Sequence, residues 1–172
     1  MRRILAALVF VAAAAGVSPA WAQDGTFGLG VGFVKPSDVD GTIWFTGNAQ
    51  FKVARNIVVE PEIGFWKKTA SFPGVLDVSI RDLDIGANAL YTTVRKSLNI
   101  SVGAGLGAHL LKGQVGVLGF SDSDSSTKIG VHLLAGVVFG HAKSMHFFAN
   151  ARYDLVSDLN QFKLYGGVRF KL

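Results

Sequence analysis

Residues 97–110, Ser-Leu-Asn-Ile-Ser-Val-Gly-Ala-Gly-Leu-Gly-Ala-His-Leu, alternate with a period of two along their whole length. Leu98, Ile100, Val102, Ala104, Leu106, Ala108 and Leu110 share one parity, and Asn99, Ser101, Gly103, Gly105, Gly107 and His109 share the other. Successive side chains of a strand point to opposite faces, so this stretch is one ribbon with an unbroken apolar face and a small, polar one. Its length far exceeds the roughly 5–6 residues of a typical soluble strand. It covers the roughly 9–11 residues that a tilted strand needs to cross a bilayer.

The alternation recurs along the chain. Thr26–Val34 sets Phe27, Leu29, Val31 and Phe33 against Gly28, Gly30 and Gly32. Thr42–Val53 sets Ile43, Phe45, Ala49 and Phe51 against Trp44, Thr46, Asn48, Gln50 and Lys52. In Ile57–Trp66, Val59, Ile63 and Phe65 oppose Glu60, Glu62, Gly64 and Trp66. In Val78–Tyr91, Leu83, Ile85, Ala87 and Ala89 oppose Asp82, Asp84, Gly86 and Asn88. Three more such stretches, Lys128–Phe139, His146–Leu155 and Phe162–Leu172, close the series. The connections after the second, fourth and sixth strands are tight, whereas those after the third and fifth are longest. The longest, residues 111–127, carries the polar run Ser121–Ser126 and reads as a solvated, mobile loop tip. Its Asp122 and Asp124 lack the glycine and the terminal bidentate Glu of a calcium loop. An even number of long strands, with short turns at one rim and long connections at the other, predicts an all-β fold: an eight-stranded antiparallel up-and-down transmembrane β-barrel.

The start of the chain fits that destination. Met1-Arg2-Arg3, the apolar run Ile4–Ala15 and the small-x-small triplet Ala20-Trp21-Ala22 form the pattern of a secretory signal peptide. Residues 1–22 are therefore expected to be cleaved after Sec-type export, leaving 23–172 as the barrel domain. No later segment approaches the roughly 18 consecutive apolar residues of a spanning helix, yet the chain is 49% hydrophobic and carries 21 glycines. With no cysteine, it is not a disulfide-stapled secreted domain. The net charge of +5 includes Arg2 and Arg3, too little to argue for nucleic acid.

Charge decides which face meets lipid. Glu60, Glu62, Asp82, Asp84, Arg152, Asp154, Lys163 and Arg169 all share the parity of the glycines. A one-residue slip would turn every one of them outward, and Arg or Lys at the midplane of a barrel's lipid face costs about 2–4 kcal/mol. A soluble sandwich would decorate its polar face with long charged side chains rather than glycine. A soluble ligand-binding barrel would put the Phe, Leu, Val and Ile of the other face in water. Inside eight strands there is room only for side chains, so these eight residues are expected to pair as a structural ion network in the lumen.

The leader, the eight amphipathic strands and the ending Tyr165-Gly-Gly-Val-Arg-Phe-Lys-Leu172 resemble the small outer-membrane β-barrel family of Gram-negative bacteria, OmpX-like and OmpA-barrel-like. The resemblance covers the mature chain. It implies residence in the outer membrane among lipids and lipopolysaccharide, and recognition of the carboxyl-terminal strand by the barrel-assembly machinery. That signal usually ends in Phe or Trp, whereas here Phe170 stands two residues before a terminal Leu172.

No cofactor, catalytic or metal site is expected. Gly103-Ala-Gly105-Leu-Gly107-Ala108 matches a loose dinucleotide pattern, but it lies inside a strand rather than at a turn into a helix. His109 and His132 share the lumen parity and read as hydrogen-bonded lumen histidines. Barrel lipases acting on lipid A use a Ser–His pair, and the nearest match, Ser144-Met-His146, falls at a periplasmic turn. Lys35, Lys67, Arg81 and Lys112 have outward parity at the outer ends of their strands, where lipopolysaccharide phosphates lie, and are candidate contacts to them; the alternative is that they are basic rim residues that stay wet by snorkelling. The function expected is envelope integrity or surface interaction and adhesion through the outer loops, by a monomer with a filled lumen and an unidentified surface partner. The alternatives are a narrow porin-like channel and a lipid A-modifying enzyme.

Overall fold

The computed structural model describes residues 25–72, 76–95, 98–117, 120–140 and 144–172. The expected signal peptide, 1–22, lies outside them. Eight strands follow one another: β1 (Thr26–Pro36), β2 (Thr42–Ala54), β3 (Ile57–Phe72), β4 (Leu76–Arg95), β5 (Leu98–Val117), β6 (Phe120–Phe139), β7 (Met145–Val156) and β8 (Gln161–Lys171). Each pairs antiparallel with its neighbours in sequence, and β1 pairs β8 from Thr26↔Lys171 to Pro36↔Gln161, closing the barrel. Closure leaves no open edge within the barrel wall, so the strands pair their backbones without water; the β2–β3 register lapses at Ala49 and Gln50, opposite Pro61 and Glu60, and Pro61 has no N–H to donate. The Leu172 N–H donates to the Gly25 carbonyl at 2.9 Å, which brings the two ends of the domain together at the tight-turn rim.

The two parities separate inside from outside. Leu29, Val31, Phe45, Ile63, Val102, Leu106, Leu133 and Leu164 are about half exposed on the outer wall. Trp44, Trp66, Phe148, Tyr165 and Val34 pack together inside, and Leu90 and Leu134 are buried there too. Glycine makes room for these large groups. A Cβ on Gly64 would overlap the Trp44 ring, and one on Gly105 would meet His132 and Asn88. Two turns use left-handed backbone. Gly140 has φ 119° after β6, and Asp158 has φ 64° between β7 and β8, a conformation that Asp tolerates. The Lys128 ammonium, 2.6 Å from the Asp158 carboxylate, donates to it and holds that exposed carboxyl below its ordinary range.

The strands differ from the sequence expectation in the middle of the chain. β4, β5 and β6 each run 20 residues, and β3 runs 16, against 11 for β1 and β8. Residues 111–117 and 120–127, expected as a mobile loop, form a ladder: Lys112↔Ser125, Gly113↔Asp124, Gln114↔Ser123 and Val115↔Asp122. The reason is physical. A hairpin projecting into water needs backbone pairing but no apolar face, so its sequence loses the alternation that marks a membrane strand. Within β6 the aspartates satisfy backbone donors beside them: the Ser123 N–H donates to Asp122 Oδ1 at 2.8 Å and the Ser125 N–H to Asp124 Oδ1 at 2.9 Å.

Among the described residues, β3 has no β2 partner in register beyond Trp66, and β6 has no β7 partner beyond Gly130 towards the hairpin tip. The extensions of β3, β4, β5 and β6 therefore form a four-stranded sheet rising from one side of the barrel rim.

Candidate functional site

The lumen is filled by one polar assembly in three tiers. In the middle tier, Arg152 on β7 touches every carboxylate. Its Nη1 donates to Glu62, its Nη2 lies 2.6 Å from Asp84 Oδ2, and its Nε lies 2.6 Å from Asp154 Oδ1. Lys163, the register neighbour of Arg152 on β8, lies 2.9 Å from Asp84 and 2.7 Å from Asp154, with its ammonium 3.9 Å from the centre of the Trp44 ring. The Tyr165 hydroxyl donates to the second oxygen of Glu62 at 2.9 Å.

His132 fits between the middle and lower tiers. Its Nδ1 accepts from Arg152 Nη2 at 3.1 Å, and its Nε2 faces the amide oxygen of Asn88. The Asn88 amide nitrogen donates to Glu60 at 3.2 Å, which fixes the amide's orientation and places the histidine proton on Nε2. The lower tier joins Glu60 to Arg169 at 2.9 Å and to Gln50 at 2.7 Å, and Arg169 also donates to Asn48. The upper tier is Asp82, whose Oδ2 accepts from Gln161 Nε2 and from His109 Nδ1, each at 2.8 Å. Trp66 Nε1 donates to Gln161 at 3.3 Å and covers that tier.

All eight residues of the sequence-derived ion set are thus buried in the lumen, each at 4% exposure or less. Seven of them share ion pairs with one another; Asp82 pairs instead with His109. The sequence reading missed the neutral members: Gln50, Asn48, Asn88, Gln161 and Tyr165. They carry the same parity as the charges, which was the available signal, but nothing local distinguishes a network amide from a spacer.

The outer basic residues divide. Lys67↔Arg81 and Arg81↔Lys112 are direct register pairs, so three bases stand side by side across β3, β4 and β5 at the root of the projecting sheet. Lys35 stands apart on β1 and donates to the Val39 carbonyl in its own turn at 2.9 Å. Ser144 and His146 lie at the tight-turn end of β7.

The charged side chains of all three tiers are shielded from water. At the tight-turn end a cavity of about 420 Å³ is lined by Lys52, Arg55, Asn99, His146 and Arg169, among others, and the buried lower tier stands above it. Short turns at this rim and long hairpins at the other give the periplasmic and outer ends respectively.

The fold has clear counterparts among solved structures. Neisserial surface protein A is similar over 86% of this chain and 97% of its own, with 21% identity and a TM-score of 0.66. Ail, the attachment invasion locus protein of Yersinia pestis, solved in complex with the heparin analogue sucrose octasulfate, covers 87% and 97% with 15% identity and a TM-score of 0.64. A major outer membrane protein from Thermus thermophilus covers 87% and 98% with 10% identity and a TM-score of 0.72. No curated protein sequence matches the chain. A family model, the outer membrane protein beta-barrel domain, matches residues 4–170. The filled, closed eight-stranded barrel is therefore an outer-membrane protein, and the chain belongs to the outer membrane protein beta-barrel domain family.

Proposed function

We propose that this barrel is a sealed membrane anchor whose working part is the sheet raised above the membrane, where it mediates surface interaction. One observation carries the reading: β3–β6 continue for several residues past the barrel wall, while β1, β2, β7 and β8 stop at the rim. Such an investment of ordered strand outside the membrane has no role in holding the barrel closed.

The sheet has two free edges, and they differ. On β6, Asp122 and Asp124 occupy backbone N–H groups next to them, which blunts that edge against another chain. The β3 edge, from Lys68 to Phe72, carries no aspartate and is the side on which a partner strand adds by backbone pairing. At the root of the sheet, Lys67, Arg81 and Lys112 face outward, suited to charge-assisted contact with lipopolysaccharide phosphates. Lys35 adds a fourth base from β1. The Ail structure was solved with a sulfated ligand, and a polyanion of that kind suits the same row. Assembly into the membrane is read through β8 by the barrel-assembly machinery, and the chain acts as a monomer.

The test uses cells displaying the full chain. Two variants replace Ala70–Val78 or Gly113–Asp124 by an Asn-Gly turn, leaving the barrel intact. Adherence to host-type cells and to immobilised sulfated polysaccharide should fall at least tenfold in one or both, at equal surface display. Unchanged adherence in both would overturn the reading. The lipopolysaccharide contacts are tested separately, by replacing Lys35, Lys67, Arg81 and Lys112 with Ala. The heat stability gained on moving from plain detergent to lipopolysaccharide micelles should shrink, and an unchanged gain would count against them.

A further inference from the structure

We propose that the upper lumen holds a divalent transition-metal ion, with zinc the best match, on His109, Asp84 and Asp154. Three observations converge on this site. The first is the histidine itself. His109 is fully buried, and its Nδ1 donates to Asp82 Oδ2, a carboxylate further fixed by Gln161. In the neutral ring that places the proton on Nδ1 and the lone pair on Nε2, which is buried with no hydrogen-bond partner among the described residues. A carboxylate gripping one imidazole nitrogen while the other is free is the arrangement that orients histidine ligands to metals.

The second observation is what faces that nitrogen. Asp84 Oδ1 lies 3.9 Å from His109 Nε2 and also lacks a hydrogen-bond partner among the described residues. Asp154 Oδ2 lies 2.7 Å from Lys163 Nζ but outside hydrogen-bonding angles. Ligand atoms of His109, Asp84 and Asp154 all fall within 4.8 Å of one another. Two bonds of about 2.1 Å span at most about 4.2 Å, so the 3.9 Å pair already reaches a common ion. The Asp154 donor lies within 4.8 Å of the other two and must draw closer to join them. One nitrogen and two carboxylates, with a further position open, suit zinc.

The third is charge. Among the described residues the lumen buries five carboxylates, Glu60, Glu62, Asp82, Asp84 and Asp154, against three permanent cations, Arg152, Lys163 and Arg169. Counted with all five carboxylates ionised and both histidines neutral, the form in which His109 Nε2 can bind a metal, two negative charges are unmatched in a site shut off from water. One divalent ion matches them. On Asp84 it would sit at Oδ1, facing His109, while Arg152 and Lys163 hold Oδ2, so that this carboxylate bridges the two cations and the metal. Because the ligands come from β4, β5 and β7, the ion would tie three strands across the lumen. The site stands independently of the surface role of the projecting sheet.

The experiment uses tag-free protein, stripped of metal in denaturant and refolded in detergent with excess zinc. Bound zinc is counted by mass spectrometry after desalting, with folding verified by heat-modifiable gel mobility. The expected result is about one zinc per wild-type chain, less than a tenth of that in His109→Gln, and full occupancy in His132→Gln. No retained zinc in folded wild-type protein, or equal zinc in His109→Gln, would overturn the site. Should His109→Gln not fold, zinc-edge X-ray absorption of the wild type decides. A shell of one imidazole and oxygens at about 2.0–2.1 Å supports the site, whereas an all-oxygen or two-imidazole shell contradicts it.

Discussion

Arg152 holds the lumen together because it is the side chain that meets Glu62, Asp84 and Asp154 at once. Removing one partner from a buried ionic cluster costs about 3–5 kcal/mol, since the remaining charges stay buried and unpaired. Arg152→Leu should therefore lower stability by that amount in urea unfolding from lipid vesicles, and a loss under about 1 kcal/mol would show that the carboxylates find other partners. Gly64 carries a different constraint. It leaves space for the Trp44 ring, on which the Lys163 ammonium sits. Gly64→Val should overpack this site, at about 1–3 kcal/mol, and shift tryptophan fluorescence, whereas Gly47→Val on the outer wall should leave the emission unchanged. At this scale the sequence was informative in one respect only. Parity alone put all eight charged side chains inside, but it could not pair them. Glu62 and Arg152 are 90 residues apart, and their meeting depends on which strands oppose each other across a closed barrel.

Among the elements, β1, β2, β7 and β8 begin and end within a few residues of where the alternation does, because their whole length is in the membrane wall. The strands β3 to β6 outrun the pattern. Lipid enforces a period of two only where it touches the strand, and past the rim both faces meet water. The Ser-Asp run of β6 therefore has the composition of a loop and the structure of a strand. This division predicts two classes of substitution. Leu133→Arg, on the lipid face of β6, should cost about 2–4 kcal/mol in the same urea assay. Ser123→Arg, on the projecting part of the same strand, should stay within about 0.5 kcal/mol. Equal costs at the two positions would mean that the membrane boundary on β6 is drawn in the wrong place.

The whole molecule combines a wall that satisfies its own backbone, a lumen packed with paired charges and amides, and a sheet raised on one side. Eight strands enclose only enough space for side chains, and this chain uses that space for Trp44, Trp66, Arg152 and Lys163, all buried. On the proposed function such a barrel is an anchor rather than a conduit, and it should pass no ions. Planar-bilayer recording of the purified, refolded protein puts that to the test without any knowledge of the surface partner. At neutral pH in potassium chloride, insertion of the wild-type chain should produce no discrete conductance steps above the bare-membrane baseline. Reproducible unitary steps from the wild type would contradict the sealed lumen and make the protein a channel.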